Sequence, residues 1–313
     1  MTDTCQIKRQ MARIKRTGVF ATNKRFLKFR KYRIIKNKGK IMIEIKYNEK
    51  GNSEICLFFI HGFCSGPEDW DAQINFFSNK FSVIAPTLRG HDGKNTKERP
   101  MSIEQLSNDC VSIIKEKKFN KVILIGHSMG TRLAIDIANK INNAFGIILI
   151  DGSRFSNENL YGDTIKTFED AIAKESYITI LENMFASMFF SKKFDDDKKR
   201  IIERAINIPE KYSLPLRRNA IWYDSHCVDK NLNNLTLPIL ILHSTKLDMK
   251  TGRSPIKEDE SLPYIDFIKS SNLEIQVKKF EKTGHYISIE KPSVTNNIID
   301  KWLAHIKVNV HDN

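Results

Sequence analysis

Gly126-His127-Ser128-Met129-Gly130 stands between Val122-Ile123-Leu124-Ile125, a short continuous apolar run, and Thr131 to Ala138, where Leu133, Ala134 and Ile137 recur at helical spacing. The apolar run has the length and composition of a strand buried on both faces. The pentapeptide is therefore predicted to be a sharp turn from a strand into a helix. Such a turn forces its central residue into a strained backbone conformation, and the flanking glycines avoid collision with neighbouring backbone. It also holds the Ser128 hydroxyl out at the edge of a sheet, above a helix N-terminus that favours negative charge. Ser128 is the candidate nucleophile.

Outward from this turn, strand and helix patterns alternate. Toward the N-terminus, Tyr32 to Ile35 and Ile41 to Tyr47 flank a hairpin signal at Lys38-Gly39-Lys40. Cys56 to Ile60 is a second short apolar run, followed by helix (Glu68 to Lys80), strand (Phe81 to Ala85) and helix (Met101 to Lys118). Beyond the turn comes strand Phe145 to Asp151, after which residues 152–234 read as helix alone. The alternation resumes with strand Ile239 to His243, helix Ser261 to Ser271, strand Leu273 to Phe280 and a last helix from Pro292 to Ile306. This order predicts an α/β fold: a mostly parallel central sheet flanked by helices, over residues 31–151 and 235–308, with a helical cap inserted at 152–234. So long an insertion must pack on something, and the carboxyl edge of the sheet is where ligands sit in such folds.

A serine hydroxyl needs a base to take its proton. Among eight histidines, His285 is favoured, because Thr283-Gly284-His285-Tyr286 follows a late strand and can reach the carboxyl edge. The imidazole needs an orienting carboxylate. Asp248, a few residues past strand Ile239 to His243, is favoured over its rival Asp151, which ends the preceding core strand. Oxyanion stabilisation needs two backbone N–H donors. Met129, next to the nucleophile, supplies one, and Phe63, in His61-Gly62-Phe63 after strand Cys56 to Ile60, supplies the other. His61, Gly62, Arg154, Phe185, Trp222 and Tyr286 are candidates for the lining of the pocket, Gly62 letting the chain pass close to the substrate and His61 buttressing the loop without reacting.

The chain has 313 residues and is 41% hydrophobic, enough for a real core. Its formal net charge of +14 is uneven: fourteen Lys and Arg stand against one acid, Asp3, within residues 1–40, so the body is nearly neutral. The body is therefore not expected to bind nucleic acid. Residues 1–30 are read as a basic, solvated arm, with an anionic-surface tether or an organelle-targeting segment as the alternatives. Five scattered cysteines without a Cys-x-x-Cys pair argue against structural zinc and a disulfide framework, and a cytoplasmic, reducing location fits.

Taken in order, His61-Gly62-Phe63, Leu88-Arg89-Gly90-His91, Gly126-His127-Ser128-Met129-Gly130, the strand leading to Asp248 and Gly284-His285 resemble the α/β-hydrolase superfamily over about residues 31–308. The resemblance implies a hydrolase that works through an acyl-enzyme with no metal or organic cofactor. A small carboxylic ester is the default substrate. Thioester, amide or carbon–carbon bond cleavage by the same triad, and a catalytically slow ligand binder, remain as alternatives.

Overall fold

The computed structural model describes residues 30–37, 40–92, 101–248, 252–271 and 273–308. The basic arm lies outside them, apart from Arg30, as do Lys38 and Gly39 of the hairpin signal. Strands β1 (Arg30–Asn37), β2 (Lys40–Lys50), β3 (Ile55–Ile60), β4 (Ser82–Pro86), β5 (Lys121–His127), β6 (Ala144–Ile150), β7 (Ile239–His243) and β10 (Ile275–Lys279) form one sheet. Their order is β1-β2-β4-β3-β5-β6-β7-β10. β2 runs antiparallel to β4, and every pairing from β4 to β10 is parallel.

The uninterrupted apolar runs are explained by burial on both faces. Cys56, Phe58 and Ile60 of β3 enter one core, while Ile55, Leu57 and Phe59 enter the other. On the first face lie α2 (Ile103–Lys117) and α3 (Gly130–Ala138), through Leu106 and Leu133. On the second lie α1 (Asp71–Phe77) and α11 (Pro292–His305), through Phe77, Trp302 and Leu303. Each fully buried side chain of this size contributes roughly 1.5–3 kcal/mol of transfer free energy, so a strand buried on both sides is worth more than an amphipathic one.

Register carries the fold to the site. Ile60 of β3 lies opposite Gly126 of β5, His127 opposite Ile150 of β6, and Ile150 opposite Leu242 of β7. These strands run parallel, so the residues that come after them crowd one edge: His61 to Cys64, Ser128, Asp151, and Ser244 with Thr245.

Between β6 and β7 the described chain is helical: α4 (Tyr161–Lys174), α5 (Tyr177–Ala186), α6 (Asp195–Ile206), α7 (Glu210–His226) and α8 (Val228–Asn233). A charged contact ties α6 to the 3-10 turn Pro67–Trp70 that comes after β3. Arg204 binds both oxygens of Asp69 (Nη1–Oδ1 3.1 Å, Nη2–Oδ2 2.5 Å) and also Glu68, while Arg200 reaches Asp69 at 3.2 Å. The Asp69 side chain is only 4% exposed, so losing its partner strands a buried charge. Arg204→Ala is expected to cost about 2–4 kcal/mol of unfolding free energy in urea, the remaining Arg200 contact softening the loss.

One element was not foreseen. β8 (Thr245–Asp248) and β9 (Gly252–Pro255) pair antiparallel as a separate two-stranded sheet directly after β7. α9 (Pro263–Lys269) and the short α10 (Ile287–Glu290) complete the helices among the described residues.

Candidate functional site

Ser128 adopts φ 55°, the left-handed conformation expected of the strand-to-helix turn. The flanking glycines are required by close backbone. A Cβ on Gly126 would stand 2.2 Å from the Gly130 carbonyl oxygen, and one on Gly130 would stand 2.4 Å from that of Ile60. Gly62 lets the loop after β3 press on the nucleophile, since a Cβ there would lie 3.1 Å from Ser128 Cβ. Neither the Phe63 nor the Met129 N–H donates to a protein acceptor among the described residues, which leaves both donors unspent beside Ser128.

The carboxylate partner is not the one expected. His285 Nδ1 donates to Asp151 Oδ2 at 2.7 Å. Asp248 is exposed, on the β8–β9 hairpin. The physical reason is the path of the chain beyond each strand: β6 ends in a tight turn, whereas β7 runs into a hairpin that carries its aspartate to solvent. Asp151 has φ 43° and accepts hydrogen bonds from the Ser244 and Thr245 N–H groups (2.7 and 3.0 Å) and from the Thr245 hydroxyl. Arg253 Nη1 stands 3.4 Å from Oδ2, and His243 Nδ1 3.5 Å from Oδ1. Burial opposes ionisation of Asp151, but His243, His285 and Arg253 outweigh it and hold the carboxyl far below the usual range.

His285 is fixed from three sides. Besides the Asp151 bond, its N–H donates to the Met188 carbonyl at 2.8 Å, and its own carbonyl accepts from His127 Nε2 at 2.9 Å. Gly284 is needed here because a Cβ would meet Glu290 Oε1 and the Met188 carbonyl oxygen at 2.2 and 2.3 Å. With Nδ1 committed, Nε2 is the ring nitrogen left for proton transfer. No hydrogen bond joins it to Ser128 Oγ in this structure, yet both residues line one cavity of about 30 Å³. Such contacts commonly close only when substrate is bound. Burial, then the positive charge of Arg253 and the proximity of His127, lowers the His285 pKa well below the ordinary value of 6.5, against the pull of Asp151.

Phe63, Ser65, Phe155, Met184, Phe185, Met188, Arg217, Leu247, Arg253 and Tyr286 form the rest of this cavity with His127. Of the residues named from sequence as its lining, Phe185 and Tyr286 border it, whereas Gly62 packs behind Ser128 and does not. His61 does not: it is buried, accepts from the Leu88 N–H at Nε2 (3.0 Å) and bonds the Gly62 carbonyl through Nδ1 (2.9 Å). It therefore fixes the loop shape from behind. Arg154 turns away, pairs with Asp229 and borders a separate cleft. Trp222 is 38% exposed and stacks on His226. Those two fail as lining because they face outward from the segment that carries them. The residues missed altogether, Arg217 and Arg253, come from α7 and β9. No local pattern marked them, although two arginines, Arg253 buried and Arg217 half-buried, are conspicuous in this wall once the chain is folded. Cys64 is a buried free thiol, pushed up by burial, as befits a small filler.

Among the described residues there is no group of three or more His, Cys, Asp or Glu that could hold a metal ion, and no helix long and apolar enough to cross a membrane.

Comparison with known proteins agrees with this architecture. Protein ABHD8 from Bos taurus is 22% identical over 257 residues, covering 80% of this chain but 56% of its own length. The chain thus spans a little over half the length of the first curated relatives it matches. A 3-oxoadipate enol-lactonase 2 from Acinetobacter baylyi is 22% identical over 256 residues, covering 78% of this chain and 86% of its own length. Among solved structures, a thermophilic esterase from Thermogutta terrifontis superposes with a TM-score of 0.69 at 19% identity, over 89% of this chain and 99% of the other. At that identity the likeness speaks for the fold alone. Residues 57–296 match the alpha/beta hydrolase family. With most of its length matched by the family, the chain belongs to the alpha/beta hydrolase family.

Proposed function

We propose that this hydrolase cleaves a small carboxylic ester through an acyl-enzyme on Ser128, with His285 as base and then acid, Asp151 as its orienting carboxylate, and the Phe63 and Met129 N–H groups as the oxyanion donors. The observation that carries this reading is the 2.7 Å bond from His285 Nδ1 to Asp151 at the wall of the cavity that Ser128 shares. It fixes the tautomer, so Nε2 is the free base.

The steps balance without a further reagent. Ser128 Oγ attacks the ester carbonyl carbon while its proton passes to His285 Nε2. The carbonyl oxygen becomes an oxyanion received by the two N–H groups. The carbon–oxygen bond to the alcohol breaks, and the leaving oxygen takes the proton from His285. Water then gives a proton to His285 Nε2 and attacks the acyl carbon; the bond from that carbon to Ser128 Oγ breaks, the acid leaves, and Ser128 Oγ takes back the proton from His285. The helices of residues 152–234 act as a cap that keeps bulk water from the cavity. Relatives named as a lactonase and an esterase support the choice of an ester bond, a lactone being a cyclic ester.

The test is a fluorophosphonate label mapped by peptide mass spectrometry, run beside a panel of short p-nitrophenyl esters. A single adduct on Ser128 together with ester turnover is expected. Labelling elsewhere, or an intact Ser128 in a protein that still turns over esters, defeats the reading.

The pH dependence arises from the depressed imidazoles. His285 must be neutral to act as a base, and its folded pKa lies below 6.5, so the acid limb of kcat/KM is expected below pH 6.5. Stability shifts in the same direction. His127 and His91 are lowered to about 4 by burial. Below pH 6.5 the unfolded chain binds protons that these folded rings refuse, so stability, full above 6.5, is lost as pH falls toward 4. Urea midpoints measured from pH 7 to pH 4.5 check this.

A further inference from the structure

We propose that the Ser128 cavity is built for an ester that carries a second, free carboxylate, and that Arg217 is the residue that receives it. This deepens the ester reading above and rests on it for the chemistry, but not for the binding.

Three observations support it. First, two guanidinium groups, Arg217 and Arg253, line the cavity with Ser128, and among the described residues no acidic side chain lines it. Second, the two differ in how they are held. Arg253 Nη1 is engaged by Thr245 Oγ1 at 2.6 Å and stands near Asp151. Arg217 makes no hydrogen bond or ion pair with any described residue; its guanidinium carbon rests 3.9 Å from the Phe155 ring centroid. By contrast, Arg132, which also rests on Phe155, is neutralised by both oxygens of Asp224 at 2.7 and 2.6 Å. Third, two buried hydroxyls stand near Arg217: Ser213, one helical turn before it on α7, and Tyr177 lie close enough to interact with each other, and neither has another side-chain or backbone partner among the described residues.

Arg217 is half-buried, and a partly desolvated cation without a protein counter-charge at the wall of a substrate cavity favours a ligand that brings one. Burial, with Arg132 nearby, already pushes the Arg217 pKa down to about 10. The planar guanidinium offers a paired N–H edge that matches a planar carboxylate. Contact with the Phe155 ring fixes the guanidinium so that little freedom is lost on binding.

The experiment compares two esters of equal length, mono-p-nitrophenyl glutarate and p-nitrophenyl pentanoate, which differ by a carboxylate in place of a methyl. The intact protein is expected to favour the glutarate by about tenfold or more in kcat/KM, expressed mainly in KM, and Arg217→Gln to reduce that preference by at least about tenfold. Arg217→Lys, which keeps the charge but loses the paired edge, should lie between the two. A parent protein with no preference for the glutarate, or an Arg217→Gln variant that keeps it, overturns the assignment while leaving the ester reading intact. A second arm needs no turnover: glutarate should raise the melting temperature of Ser128→Ala protein but not that of Ser128→Ala/Arg217→Gln. If neither ester is cleaved yet this selective shift appears, the carboxylate site stands and the ester reading falls. Equal shifts, or none in either protein, overturn the carboxylate site.

Discussion

Asp151→Asn is expected to lower kcat by about 10³–10⁴-fold, while Asp248→Asn stays within about threefold of the parent protein on the same ester. The asymmetry comes from what each side chain touches. An amide at position 151 can turn its NH₂ toward His285 Nδ1, which then becomes an acceptor and leaves the proton on Nε2, where the base is needed. The tautomer is wrong although the geometry is kept. Asp248 is exposed on the hairpin, and its charge is not on the proton path. Steady-state rates with both variants at pH 8, where His285 is neutral in the parent, decide between the two carboxylates. A large loss for Asp248→Asn with little for Asp151→Asn would reverse the assignment.

Ser128→Ala is expected to remove ester turnover by about 10⁴-fold or more, because the residues of such a site act as a unit and the nucleophile has no substitute. A companion variant separates chemistry from folding. Ser128 sits at φ 55°, where a side chain is strained by roughly 1 kcal/mol and glycine is not. Ser128→Gly should therefore be equally inactive yet unfold at a higher urea concentration than Ser128→Ala. Were the glycine variant the less stable of the two, the strained-turn account of this position would fail.

The different fates of these residues show what a sequence can disclose here. The turn at 126–130 was legible because its determinants are contiguous: apolar strand, two glycines, helix. The strand and helix alternation was legible for the same reason, each element being marked by its own periodicity. His285 was reachable by reasoning about strand ends, since the chain leaves β10 toward the same edge as β5. The choice between Asp151 and Asp248 was not a local matter. Both come after a core strand, and only the path of the chain after β7 distinguishes them. Thr245 to Asp248 and Gly252 to Pro255 pair with each other, and that pairing, which no strong periodicity announces in so short a stretch, carries Asp248 to the surface. Arg217 and Arg253 were still less accessible. One is a helical residue among many charged neighbours, the other lies in a polar hairpin, and their shared wall exists only once α7 and β9 meet above Ser128.

The hairpin after β7 has a consequence for how this enzyme can diversify. With the proposed orienting aspartate set just after β6, beside the nucleophile strand, the hairpin braces that carboxylate without supplying it: Thr245 donates to Asp151 and Arg253 stands 3.4 Å from it. It also contributes Leu247 and Arg253 to the wall. Natural variation at Leu247 is thereby free to retune which molecules are admitted, whereas changes at Thr245 or Arg253 would disturb the carboxylate as well.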